Sequence, residues 1–376
     1  MPTLVTLLLL AQTSASGPAG PTAGDVYERL SARVEAAYDT GRGGFVSKSK
    51  VPSESAIELA LLRAGNRPDD PWRRKAIVSI DWMRGLLDTL GGGYASSVER
   101  REGDGALGKR ADANGRRLEL LLAAAAATGE SSYLADARRV ADFLDRVLLD
   151  GRGGFVTAQV GDRDLEPASN DIAIHAWLTW AASRLDRSTR EFALRSIDRV
   201  WETCWDKTVG LIRRNNFGEI SSEPRLEDQV EMGRACVLAA RLCGRPADRE
   251  RAVALGDLLI ARYEEEHAGF RTSAVPKRNG SIQKAGQDSG ENARAARFLA
   301  ELATLTGETR YRQASMRAWN AFAKKEDKLG LNAADWALAA HSWSVHSLPA
   351  APAWAKAVEP ERQARKKSVT IGLGHN

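Results

Sequence analysis

Acidic and amide residues recur at regular places along this 376-residue chain. One series reads Pro52-Ser53-Glu54, Pro167-Ala168-Ser169-Asn170-Asp171 and Asp288-Ser289-Gly290-Glu291-Asn292; the other sets Asp112, Asp228 and Asp335 just ahead of Asn114, Gln229 and Trp336. Ser53, Ser169 and Ser289 are 116 and 120 residues apart, and the three aspartates are 116 and 107 apart. Paired carboxyl groups are what inverting glycoside hydrolysis needs. One, raised in pKa, protonates the leaving oxygen while the other activates water, at a separation of about 6.5–9.5 Å. On that chemistry Asp112 or Asp228 is the base and Glu291 the acid. Glu54, Asn114, Asn170, Asp171, Gln229, Asp288, Asn292 and Asp335 would bind substrate, with Trp177 and Trp336 against a sugar ring. Ser, Asp and Asn are also preferred helix N-caps. Ser55-x-x-Glu58, Asp228-x-x-Glu231 and Asp288-x-x-Glu291 fit capping boxes, so each residue singly has a structural reading. Capping does not explain the alternation of the two series.

Epimerisation makes a different demand: general acid–base groups, commonly His, flanking the carbon that loses its proton. His175 and His341 fall inside apolar helical stretches where a lumen-facing or a buried, hydrogen-bonded histidine would serve. A third reading needs no acid–base pair at all: a non-catalytic exported module that binds an oligosaccharide, peptide or other cell-envelope component. No His/Asp/Glu spacing of a recognised metal site occurs. The glycine-rich segments have neither Gly-Lys-Ser nor a βαβ context. The expectation is no metal and no cofactor.

These residues need elements to carry them. A glycine mark recurs six times, at Gly41–Phe45, Gly91–Tyr94, Gly151–Phe155, Gly210–Ile212, Ala268–Phe270 and Leu329–Leu331. Glycine permits the left-handed turn that ends a helix, and the next apolar residue tucks into the core. Between marks the pattern is helix, turn, helix: Tyr133, Ala137, Val140, Leu144 and Val147 step by three or four. The turn near residue 186 lacks a glycine. Helices are expected over 25–38, 53–64, 71–87, 112–128, 131–149, 170–184, 187–204, 225–243, 247–265, 289–306, 309–325 and 332–347. Five hairpins and a lone helix at each end close into a ring if the lone helices pair. Leu118 to Ala127 is apolar except for Glu119 and belongs inside, whereas its successor carries Asp136, Arg138, Arg139, Asp142 and Asp145 and belongs outside. The expectation is an all-α (α/α)6 toroid over 25–348. Its inner helices start at one end, so the two series converge on one mouth, where helix N-termini favour anions and polar oxygens.

Composition sets the outer limits. Hydrophobic residues make up 43% and charged ones 27%, a folded-protein balance with no uncharged stretch near the ~20 residues of a membrane span. The net charge of +5 is spread out rather than gathered into a nucleic-acid-binding stripe. Three cysteines, Cys204, Cys236 and Cys243, have no redox or zinc spacing and read as buried thiols. Leu4 to Ala11 is a short apolar run followed by small residues, which suits a signal peptide over 1–20 and a periplasmic or extracellular location, although no Lys or Arg precedes it. Residues 349–376 form a basic, proline-broken tail.

The motifs resemble the six-hairpin toroid shared by many glycosidases and by N-acylglucosamine and cellobiose 2-epimerases. They are more closely similar to the helical domain of YyaL-type, spermatogenesis-associated proteins. The stretches that carry this are Gly91–Tyr94, Leu118–Tyr133 with Thr128-Gly129-Glu130, Gly153–Phe155 with Pro167–Asp171, Asp228-Gln229, and Asp288–Leu299 with Thr306-Gly307-Glu308 and Tyr311. That family has a Pro-Ser-Gly-Asn helix start; here Asp288 replaces the proline and Glu291 is interposed. The family's thioredoxin-like domain has no counterpart in the 24 or so residues before the first expected helix. The resemblance implies a carbohydrate-related toroid and transfers a fold more firmly than a reaction.

Overall fold

The computed structural model describes residues 22–46, 52–95, 108–159, 165–214, 219–220, 223–273 and 287–344. The expected leader over 1–20 and tail over 349–376 lie outside these residues. Alanine and leucine, strong helix formers, fill α4 (Ala111–Thr128), and Gly129 stops it: at φ 75° its N–H returns to the Ala125 carbonyl. The same device ends α8 (Leu226–Cys243) at Gly244 and α10 (Ser289–Thr306) at Gly307. α6 (Pro167–Arg184) opens on a proline that has no N–H to leave unpaired, three residues ahead of the expected 170. In the glycine-free turn behind it, Leu185 itself adopts the left-handed conformation, φ 55°, at a cost of about 1–2 kcal/mol.

The remaining helices are α1 (Ala23–Ala36), α2 (Glu54–Ala64), α3 (Pro71–Arg84), α5 (Ser131–Phe143), α7 (Arg187–Cys204), α9 (Pro246–Leu258), α11 (Thr309–Phe322) and α12 (Ala333–Ser344). Each even helix from α2 to α10 packs on the odd helix that follows it, and α12 packs on α1. Even helices also touch in sequence, α2 to α4 and onward, and α12 returns to α2. The result is the (α/α)6 toroid, six helices inside and six outside. Burial follows the layers: α8 is buried without interruption from Asp228 to Ala239, whereas α5 buries one stripe, Tyr133, Asp136, Ala137, Val140, Ala141 and Phe143. No helix among the described residues is long and apolar enough to cross a membrane.

The glycine marks are not helix stops. Five form tight antiparallel turns that return the chain from an outer helix toward the mouth. Asp39 bridges Gly44, Leu87 bridges Tyr94 and Leu149 bridges Phe155. β1 (Trp205–Asp206) pairs with β2 (Gly210–Leu211), and β3 (Glu264–Glu265) with β4 (Gly269–Phe270). Asp39, Asp88, Asp150 and Asp206 close four of these turns by accepting backbone N–H groups two or three residues on.

Side-chain amides of the inner helices lock the turns in place. The Oδ1 atoms of Asn114, Asn170 and Asn292 accept the N–H of Tyr94, Phe155 and Phe270, each at 2.6 Å, and Gln229 Oε1 accepts that of Leu211 at 2.7 Å. Asn114, Gln229 and Asn292 donate back to the carbonyl of the same residue, as a neighbouring strand would. Gly154 and Gly269 have positive φ, and a Cβ there would lie 2.7 and 2.6 Å from the clamping oxygen. All four amides are 0% exposed. The residues expected to bind substrate as amides are therefore occupied in holding the backbone, because a buried N–H without a partner is costly.

The tryptophans expected against a sugar are also core. Trp177 packs edge-on to Phe155, ring centres 5.7 Å apart. Trp336 is 0% exposed, packs on Trp319 and Phe322, and donates its indole N–H to Ser289 Oγ at 3.0 Å. Cys204 and Cys236 are buried, Cys243 is half-buried, and all three are free thiols.

Substituting Asn292→Ala should strand the Phe270 N–H and lower stability by about 1–3 kcal/mol, read as a lower urea midpoint at unchanged m-value. The exposed Gln287→Ala should move it by less than about 0.5 kcal/mol.

Candidate active site in the toroid lumen

A cavity of about 480 Å³ lies within the inner ring, inside the range of small-molecule pockets. Its walls come from all six inner helices, running from Glu54 and Asp335 near the helix starts to Leu62, Ala123, Arg241 and Thr304 farther along. Glu119, His175, Arg234, Arg297 and His341 each occupy the ninth position of their helix and each lines the cavity. Arg297 Nη2 reaches Glu58 Oε1 on α2 at 2.6 Å, so Glu58 completes a level of two carboxylates, two guanidinia and two imidazoles. In the inner ring α6 and α12 are three steps apart, so His175 and His341 come from opposite sides. Glu58 likewise stands across from Arg234, and Glu119 across from Arg297.

The two imidazoles differ in surroundings. His175 Nδ1 is 2.5 Å from Glu119 Oε1, and Thr179 Oγ1 donates to the same oxygen at 3.4 Å. Burial pushes the Glu119 carboxyl upward, but the facing His175 and then Arg116 bring it below its ordinary value. His341 packs at 5.5 Å, ring centre to ring centre, on Tyr27 and has no carboxylate partner among the described residues. Burial, and secondarily the Arg297 charge, push its pKa below the ordinary 6.5.

Charge is balanced by contacts between helices. Arg116 Nη2 donates to both oxygens of Glu231 at 2.9 Å, and Arg234 and Arg294 approach the same carboxylate at 3.3 and 3.4 Å. Burial opposes ionisation of Glu231, yet these guanidinia hold it at about 2. Glu58 is held at about 2 against the same burial, chiefly by Arg297. Arg297 Nε also donates to Glu301 at 3.0 Å.

Of the residues singled out in the sequence, Glu54 and Asp335 line the cavity. Asp335 Oδ1 accepts from Ser55 Oγ at 2.6 Å, and burial raises the Glu54 carboxyl despite Arg117 at 3.4 Å. Asp112, Asp228 and Glu291 sit on the rim and do not line it. A ladder of ion pairs joins the first two: Arg110 Nη2 holds Asp112 at 2.9 Å and Glu166 at 3.0 Å, and Arg213 joins Glu166 at 2.5 Å to Asp228 at 3.0 Å. Asp228 is 0% exposed and also accepts the Ala168 N–H. Burial raises its carboxyl to about 6 in spite of Arg213. Glu291 is 9% exposed, 3.6 Å from Arg225, and is raised by burial and by Glu227. Only Asp288 makes the expected cap, accepting the Glu291 N–H at 2.8 Å. Asp171 is buried beside α8 with no hydrogen-bond partner among the described residues, and burial, then Asp228, raises it well above the ordinary range. The signal for the lumen residues was different: a lone charge inside an apolar helix, such as Glu119 within Leu118–Ala127 or Arg234 within the buried run of α8.

No protein-family model matches the chain, and no curated protein matches it by sequence. Solved structures do. The cellobiose 2-epimerase from Bacillus thermoamylovorans superposes with TM-score 0.66 at 10% identity, over 80% of this chain and 87% of that one. The GH76 α-mannanase of Bacteroides thetaiotaomicron gives TM-score 0.64 at 12% identity, over 86% and 96%. An unsaturated glucuronyl hydrolase specific for heparin gives 0.65 at 11%, also over 86% and 96%. At these identities the likeness is one of fold: the chain shares the six-hairpin toroid. The likeness to YyaL-type helical domains rests on the motifs alone.

Glu231 carries a stability prediction. Its folded pKa of about 2 lies below the ordinary 4.5, so its contribution is complete above about pH 4.5 and is lost as pH falls toward 2. Wild type should therefore lose stability more steeply over that window than Glu231→Gln. At pH 7 the variant should be less stable by about 3–5 kcal/mol, since three arginines lose their shared partner. Chemical denaturation at stepped pH measures both.

Proposed function

We propose that this chain is an exported carbohydrate-active enzyme that epimerises a sugar at the carbon next to its carbonyl. The observation that carries this is the pair of cavity-lining histidines, at one level and on opposite sides of the ring. Inverting such a carbon takes two proton-transfer groups, one on each face, whereas aldose–ketose isomerisation can run on one base. His341, kept neutral by its surroundings, removes the C2 proton of an open-chain aldose and becomes imidazolium. The C–H electron pair forms the C1=C2 bond as the carbonyl π pair moves to O1, giving an enediolate. Arg297, at the same level, faces the developing negative charge. His175, held at Nδ1 by Glu119, delivers a proton from Nε2 to the opposite face of C2. The fold likeness to a cellobiose 2-epimerase supports this reading, and the apolar run Leu4–Ala11 supports export.

Glycoside hydrolysis is the second reading, favoured by one feature: Glu54, with its raised carboxyl, and Asp335 both border the cavity and could divide acid and base roles. A non-catalytic binding module would hold a sugar and change nothing. Proton NMR in D2O separates the three. Epimerisation puts one deuterium at C2 and yields the C2 epimer, hydrolysis yields new reducing ends, and a binding module yields neither. Each of His175→Asn and His341→Asn should lower turnover by about 10²–10⁴-fold. Undiminished C2 exchange in the double variant would remove the two-histidine mechanism. The acidic limb of the kcat/KM profile should fall below pH 6.5, because His341 must be neutral to act and its pKa is lowered.

A further inference from the structure

Arg116, Glu231 and Arg294 each occupy the sixth position of their helix, three residues closer to the mouth than the histidine level. Three residues of helix rise about 4.5 Å. Together with Arg234, three guanidinia from three helices stand within 3.4 Å of a single carboxylate, which cannot saturate all of their donors. Among the described residues, Arg116 donates through Nη2 alone, Arg234 makes one hydrogen bond through Nη1, and Arg294 approaches Glu231 only through Nε. Arg234 is 5% exposed and lines the cavity with Arg116 and Arg294. Burial first, then the neighbouring Arg297, lower its pKa in spite of Glu231. The other lining carboxylates have partners elsewhere: Glu119 is engaged by His175, Glu54 lies 3.4 Å from Arg117, Glu58 and Glu301 accept from Arg297, and Asp335 accepts from Ser55. A neutral sugar would use these guanidinium donors only in part, whereas an anion would take up planar, bidentate donors suited to it.

Resting on the epimerase reading, we infer that the substrate is an anionic sugar, its carboxylate or phosphate held by Arg116, Arg234 and Arg294 while C1 and C2 lie at the histidine level. The offset between levels matches the reach from C2 to C6 of a hexose, which places the anionic group at the sixth carbon.

The test uses calorimetric binding and C2 deuteration side by side, on the full-length protein, with glucuronate, glucose 6-phosphate and glucose as probes. Glucuronate or glucose 6-phosphate should bind about 10- to 100-fold more tightly than glucose, and whichever does so identifies carboxylate or phosphate as the group. That advantage should shrink at high salt and be lost in Arg294→Gln, whose side chain is 29% exposed and makes no hydrogen bond among the described residues. Arg234→Gln should act in the same direction. Equal affinity for all three probes, or an anion preference untouched by both variants, overturns the inference. Arginine-dependent anion binding without C2 exchange upholds it and sinks the epimerase reading. Exchange on glucose without anion preference does the reverse.

Discussion

Ion pairs made between helices are the condition under which this lumen can exist. The side chains at the centre of the ring are partly removed from solvent, and an isolated charge buried there would be costly. Each carboxylate of the charged level finds its partner on another inner helix: Glu58 on α2 with Arg297 on α10, Glu119 on α4 with His175 on α6. Glu231 on α8 gathers Arg116 from α4 and Arg294 from α10. These contacts tie non-adjacent parts of the chain together, so the polarity needed for chemistry and the closure of the ring depend on the same bonds.

The rim obeys a different economy. There the charges form a ladder along the helix starts, from Asp112 through Arg110, Glu166 and Arg213 to Asp228. Its members are turned toward one another and the backbone rather than toward the cavity. A carboxylate fixed on an arginine and a backbone N–H, as Asp228 is, has little left to offer a substrate. By contrast His341, Glu54 and the outer nitrogens of Arg294 retain unspent capacity. That difference in commitment, more than position near the mouth, separates scaffold from site.

The amide clamps show how a repeated sequence motif can mimic a functional one. Asn114, Asn170, Gln229 and Asn292 recur because each inner helix must receive the turn leaving an outer helix at the same height. Gly154 and Gly269 complete the arrangement, since any side chain would strike the clamping oxygen. Periodicity in a toroid therefore reports the repeated joint first. The repeat is broken deeper in the lumen, where the ninth positions are occupied by Glu, His and Arg without a common type.

The sequence by itself determined the helices, their inner and outer layers and the closed ring, because apolar spacing and glycine stops are local properties that survive without knowledge of neighbours. It also singled out Glu54 and Asp335, which do border the cavity. Asp112, Asp228 and Glu291 lie outside the cavity lining beside arginines, since a short-range N-terminal pattern does not say whether a carboxylate meets an arginine or open space. Only the tertiary structure decided that His175 and His341 share a level across the lumen and that three arginines crowd one glutamate. Those relations join residues 115 to 166 positions apart, Arg116 to Glu231 and His175 to His341. They are set by the rotation of six packed helices about a common axis, a quantity that no single helix carries in its own residues.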